Sequence, residues 1–105
     1  MDAIIQVVTT GGSREAMEAI GRHLVESRLA SCSQISGPIA STYWWKGKIE
    51  ETTEWICTVK STSTLYPEVE AAIRELHPYE LPEIVAVIIE FALPGYADWI
   101  REETK

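Results

Sequence analysis

Apolar residues along this chain keep two rhythms, one of period two and one of period 3.6, and the switches between them mark out the elements. Ala3 to Val8 is rich in β-branched residues and predicts a buried strand, closed by a turn at Thr9-Thr10-Gly11-Gly12. Ser13 then stands as an N-cap. From Arg14 to about Ser27 the apolar positions Ala16, Met17, Ile20 and Leu24 recur at helical spacing, and Glu18 and Arg22 form an exposed pair four apart. Leu29 to Trp45 reads as extended, with a bend or bulge at Ser36-Gly37-Pro38 because proline cannot donate to a ladder. Lys46-Gly47 reverses the chain, and Lys48 to Lys60 returns as a strand in which Trp55, Cys57 and Val59 alternate with Ile56 and Thr58. Leu65, Val69, Ala72, Ile73 and Leu76 make a second helical stripe, with Pro67 in its first turn. Ile84 to Ile89 predicts a fourth strand, Leu93-Pro94-Gly95 breaks it, and Tyr96 to Glu103 predicts a short last helix.

The resulting order, β-α-β-β-α-β, with right-handed crossovers, predicts an α+β fold: a ferredoxin-like split βαβ sandwich of strand order 4-1-3-2 with a short C-terminal helix. Strand two is then an edge. It is long and carries Ile39, Tyr43, Trp44 and Trp45, a combination that invites aggregation unless something covers it. Another subunit is the expected cover, and a head-to-tail contact of that kind must close into a ring to avoid fibres. Aromatics are enriched where subunits meet, which makes Tyr43, Trp44 and Trp45 the expected interface.

At 105 residues the chain predicts one domain, 1–105, and 46% hydrophobic with 24% charged residues suits an ordinary globular protein. No segment reaches the apolar length needed to cross a membrane. The N-terminus lacks the basic region and apolar run of a secretory signal, and Cys32 and Cys57 have neither CxxC nor zinc-knuckle spacing, so a reduced, cytoplasmic setting is expected. A formal charge of −7 repels polyphosphate, and the lysines beside Trp44 and Trp45 are followed at once by Glu50, Glu51 and Glu54. Nucleic acid is therefore not the expected partner; cations are.

Leu76-His77-Pro78-Tyr79-Glu80-Leu81-Pro82-Glu83 is the stretch with the most chemistry. Its two prolines push His77 and Leu81 out of helical conformation, so the second helix stops at or before the histidine and holds it at a defined exit point. An imidazole there, with Glu80 and Glu83 close by, suits a metal ligand or a proton exchanger; it equally suits a helix stop whose histidine faces the last carbonyls. His23 lies off the apolar stripe of its helix with no second ligand nearby and reads as a surface residue. No serine, cysteine or histidine is spaced so as to identify a nucleophile with its base, and an enzyme is not expected.

Taken together, Ala30-Ser31-Cys32 before strand two, the aromatic hairpin Tyr43-Trp44-Trp45-Lys46-Gly47, the His77-Pro78-Tyr79 junction, and Tyr96 with Trp99 resemble the CutA divalent-cation-tolerance family over nearly the whole chain. The resemblance implies a compact ferredoxin-like homotrimer associated with copper and other divalent metals. It also implies copper ligands at two places where this chain departs from the family: a cysteine position occupied here by Val8, and a pair of adjacent histidines of which the first is replaced by Leu76, leaving His77. Cys32 cannot substitute within one subunit. Eight residues of strand span roughly 26 Å and three strand spacings add about 14 Å, so Cys32 and His77 start diagonally opposite strands. A metal held by both would sit between subunits; otherwise Cys32 serves as a small buried apolar residue. The expected donors are thus His77 and Glu83, with Cys32 only across an interface, binding copper or another divalent cation weakly. The alternative is a rigid trimeric platform, by analogy with the PII signalling proteins, that binds a protein partner or a small signalling metabolite.

Overall fold

β-Branched side chains hold the first residues extended further than their turn-like composition suggests. In a computed structural model that describes residues 1–105, β1 runs Ile4–Gly11. Thr9, Thr10 and Gly11 do not turn; they pair with Cys57, Ile56 and Trp55 of the neighbouring strand. Threonine favours the pleated conformation, and three further ladder partners outweigh the local turn preference of a Thr-Thr-Gly-Gly run. The remaining elements are α1 (Arg14–Glu26), β2 (Cys32–Trp45), β3 (Lys48–Thr62), α2 (Tyr66–Leu76), β4 (Ile84–Ile88) and α3 (Pro94–Glu103). A single 3-10 turn, Ser63–Leu65, joins β3 to α2.

The strands form one antiparallel sheet in the order β2-β3-β1-β4, the expected 4-1-3-2 arrangement read from the other edge. Residues paired across a ladder point to the same face. One face, with Ile5, Val7, Cys57 and Val59, packs against Met17, Ile20 and Leu24 of α1 and Val69 and Ile73 of α2 to make the core. The opposite face carries Val8, Ile56, Val85 and Val87, of which Val85 and Val87 are exposed. The continuous apolar run of β4 therefore lies on an uncovered edge strand rather than in the core. α3 lies across β3 and β1, its Ile100 buried and its Arg101 Nε donating to the Asp2 carbonyl at 2.9 Å.

α1 starts where Ser13 Oγ accepts the Ala16 N–H at 3.1 Å. Its ion pairs are Arg14–Glu18 and Arg22–Glu26, not Glu18–Arg22. Glu18 and Arg22 each have a second partner one turn away, and both side chains took the outer one. Gly21 faces the sheet so closely that a Cβ there would lie 2.8 Å from Ser33 Cβ and 3.3 Å from Cys57 Sγ. α2 stops at His77, whose backbone is extended and whose N–H closes on the Ile73 carbonyl at 2.8 Å, as Pro78 requires. Leu76, placed on the apolar stripe by spacing, is instead exposed at the end of the helix.

β2 and β3 form the long hairpin, closed by Trp45 opposite Lys48, with Lys46 and Gly47 both at positive φ. Two successive left-handed residues make the turn whose twist matches that of paired strands. The register shifts between Ser36 and Ile39, where Gly37-Pro38 interrupts the ladder.

Candidate ligand cleft at the His77 junction

Residues 77–83 leave α2 and fold back over the far end of β1, and the extra length of that strand is what they meet. His77 is buried, 7% exposed. Its Nε2 lies 2.7 Å from the Thr10 carbonyl and its Nδ1 lies 3.1 Å from the Tyr79 backbone nitrogen. A carbonyl only accepts and a backbone N–H only donates, so the ring is the neutral tautomer with its proton on Nε2. Neither nitrogen keeps a free lone pair toward the cleft; a metal ion at either one would displace one of these bonds. The histidine clamps the junction onto β1.

Thr10 anchors a second contact, its Oγ1 donating to Glu83 Oε1 at 3.4 Å. Tyr79, its ring 4.8 Å from that of His77, reaches across to donate its hydroxyl to Glu54 Oε2 at 2.9 Å. Burial pushes the Tyr79 phenol up to about 12, and the hydrogen bond to the Glu54 carboxylate adds to the shift. The phenol is thereby held as a donor.

Between this junction and the base of the hairpin lies an open cleft of about 860 Å³, lined by Tyr43, Trp44, Trp45, Tyr79 and the carboxylates Glu54, Glu80 and Glu83, among others. Trp44 is 72% exposed, while Trp45 is half-buried. Lys46 rests above the Trp45 ring, its Nζ 5.4 Å from the centroid, and reaches Glu80 at 3.6 Å. Glu54 differs from the other two carboxylates. It is only 5% exposed, receives one hydrogen bond, from Tyr79, and has no basic group within ion-pairing distance.

The residues expected to act together are brought together only in part. His77, Glu80 and Glu83 share the junction, and Tyr43, Trp44 and Trp45 form the opposite wall. Cys32 stands at the other end of β2, half-buried, with its Sγ 3.8 Å from the Tyr96 hydroxyl, so the structure does not join it to His77 within one chain. Val8 lies in the middle of the uncovered sheet face and Leu76 points to solvent. No three His, Cys, Asp or Glu side chains converge closely enough to hold an ion. Glu54 was not singled out from sequence as a site residue. The available signal was its position: it follows Glu50 and Thr52 on one face of β3 and precedes the apolar Ile56, a carboxylate inside a strand where burial begins.

A four-stranded α+β sandwich with a clamped His-Pro-Tyr junction facing an aromatic hairpin defines a ferredoxin-like protein. Its particular kind follows from comparison. The family model for the CutA1 divalent ion tolerance protein matches residues 5–103, and the chain belongs to that family. The divalent-cation tolerance protein CutA of Thermus thermophilus is 40% identical over 98 residues, covering 93% of this chain and 95% of that one. Its counterpart from Thermotoga maritima is 39% identical over 99 residues, 94% of this chain and 97% of the other. Among solved structures, the Thermus protein superposes with a TM-score of 0.94 at 38% identity over 97% of this chain and 99% of that chain. CutA1 of Oryza sativa gives 0.95 at 27% identity, covering 99% of this chain and 95% of its own. The Archaeoglobus fulgidus structure, described as a periplasmic divalent cation tolerance protein, gives 0.93 at 38% identity over 97% and 99% of the two chains. The family is named for cation tolerance and not for a catalysed reaction.

Proposed function

We propose that this protein acts in divalent-metal tolerance as a cytoplasmic homotrimer that takes up copper-type ions at the His77 junction. The observation that carries the reading is the family match across residues 5–103, joined to a junction segment that carries His77, Glu80 and Glu83 within seven residues. Glu83 supplies the accessible carboxylate. His77 joins it by giving up its bond to Thr10 or to Tyr79, and Cys32 contributes only from a neighbouring subunit. A set of few donors, one of them released from a hydrogen bond, suits imidazole-and-carboxylate coordination of Cu(II) and a modest affinity. Two free cysteines, Cys32 and Cys57, are in keeping with a reducing compartment. The trimer is supported by the uncovered apolar sheet face and by the aromatic edge hairpin, where Tyr43, Trp44 and Trp45 would meet a neighbour.

Titration calorimetry with Cu(II) tests the assignment. Wild type should bind, and His77→Ala and Glu83→Gln should each weaken binding roughly tenfold or more, the scale on which loss of a metal ligand or its support acts. Equal affinity in all three proteins would remove the site.

A second reading is favoured by the cleft itself. A concavity of about 860 Å³ with four aromatic walls falls in the range of small-molecule sites and is far larger than a metal ion needs. In this reading the trimer is a rigid platform that binds a small metabolite or a protein partner there, as the fold analogy with PII proteins suggests.

A further inference from the structure

Glu54 is a carboxylate taken almost wholly out of water with no positive charge beside it. Buried charges are normally paired, because an ion loses far more solvation than one neutral hydrogen bond returns. Tyr79 satisfies Oε2 alone; Oε1 has no protein donor and is not sealed from solvent, in a residue that lines the cleft. A cation that enters the cleft would supply the countercharge that the chain itself does not place beside Glu54.

The mouth of the same cleft displays the kind of cation that fits. Lys46 places its ammonium 5.4 Å from the Trp45 centroid and 3.6 Å from Glu80, an aromatic face and a carboxylate gripping one alkylammonium. Tyr43, Tyr79 and Glu54 line the same cleft, two aromatics and a carboxylate with no lysine or arginine ion-paired to that carboxylate. Ammonium groups bind aromatic faces through the ring quadrupole, and their methylene stems cover apolar surface. A bare metal ion is less well served. No three ligands converge, and the Tyr79 phenol, held protonated, offers a donor hydrogen where a metal needs a lone pair. Anionic ligands face Glu54, Glu80 and Glu83 together.

We infer that the cleft binds a small organic cation, a primary ammonium on a short apolar stem, with Glu54 as the countercharge and Tyr43 and Tyr79 flanking the stem. This rests on the second reading above and names the chemical class of its ligand. It sets Tyr79 as a positioning residue, whose hydroxyl holds Glu54 Oε2 and leaves Oε1 without a protein partner.

The probe is 1,4-diaminobutane, compared with butylammonium, the neutral 1,4-butanediol and the dianion succinate, each titrated into the full chain in its native assembly and followed by calorimetry and tryptophan fluorescence. The two ammonium compounds should bind and the diol and succinate should not. Glu54→Gln keeps the acceptor for Tyr79 and loses the charge; it should weaken the amine on the order of 30-fold, as expected when one partner of a buried charge pair is removed. Glu15→Gln, on the exposed start of α1, should change nothing. If Glu54→Gln does not fold, the charge series on wild type still decides. Amines that bind no better than the diol overturn the inference, and so does an unchanged amine affinity in Glu54→Gln. Succinate binding in the cleft while amines do not would overturn the cation class and leave the platform reading standing. No response to any probe would count against both.

Discussion

Tyr79 shows how one side chain ties the junction to the sheet and leaves a spectroscopic mark. Its phenol is raised to about 12 first by burial and then by the hydrogen bond and charge of Glu54. The folded state therefore prefers the neutral phenol. The stability this contributes is fully present below the ordinary tyrosine value of 10.0 and is lost as pH rises through about 12. Tyr66 and Tyr96 are also raised by burial, so an alkaline titration followed at 295 nm should show several late phenols among the four tyrosines, of which the step near 12 disappears in Tyr79→Phe. A titration of Tyr79→Phe that keeps that step in full would show that Glu54 and burial do not act on this group. His77 illustrates what was and was not legible at this scale. Pro78 announces that the helix must stop there, but nothing local reveals that Thr10 lies across from the ring, because that contact spans 67 positions. Spacing identifies the residue and its backbone conformation; the partner that occupies its nitrogen is a tertiary fact.

Among the elements, helix-on-sheet packing is decided at Gly21. Alanine is intrinsically the better helix former by about 1 kcal/mol. Here that gain is outweighed, since the new Cβ would meet Ser33 Oγ and Cβ, the latter at 2.8 Å, and Cys57 Sγ at 3.3 Å. α1 would have to move off β2 and β3, and overpacking of this kind costs about 1–3 kcal/mol. Gly21→Ala should therefore lower the urea midpoint despite its higher helix propensity; an equal or higher midpoint would mean that the Ser33 side chain yields freely. The stripe Met17, Ile20 and Leu24 was readable from its period, whereas the glycine beside it was not, because closeness of approach depends on what stands opposite. β1 failed to read correctly for a related reason. Thr9-Thr10-Gly11 carries turn composition, and only the partners Cys57, Ile56 and Trp55 keep it extended. The hairpin read well because its signal is local: Lys46-Gly47 supplies the two positive-φ positions and the flanking strands alternate. Glu54 was weighed only as one of several acidic residues, since a carboxylate in a strand does not disclose that the 77–83 segment will bury it.

For the whole molecule, the tension lies in the part of the second sheet face that α3 leaves uncovered. Val85 is 50% and Val87 59% exposed on β4, beside Val8 and Ile56, and Phe91 and Leu93 in the segment after the strand are 86% and 76% exposed. Scattered exposed apolar residues are ordinary, but a contiguous patch on a sheet next to an open edge strand marks an association surface. Burying each valine would contribute about 1.5–3 kcal/mol, repeated in every subunit of a ring. Because Val85 and Val87 lie outside the core around Met17, Leu24 and Val59, a charge there should break the assembly without unfolding the chain. Val85→Lys with Val87→Lys is thus expected to sediment as a folded monomer, with its far-ultraviolet circular dichroism retained, at concentrations where wild type should form the proposed trimer. Trp44→Ala should loosen the trimer by a smaller step if the hairpin meets a neighbour only at its rim. A double lysine variant that sediments with wild type would show that this face is free in solution, and the trimer would then have to be built on the aromatic hairpin alone.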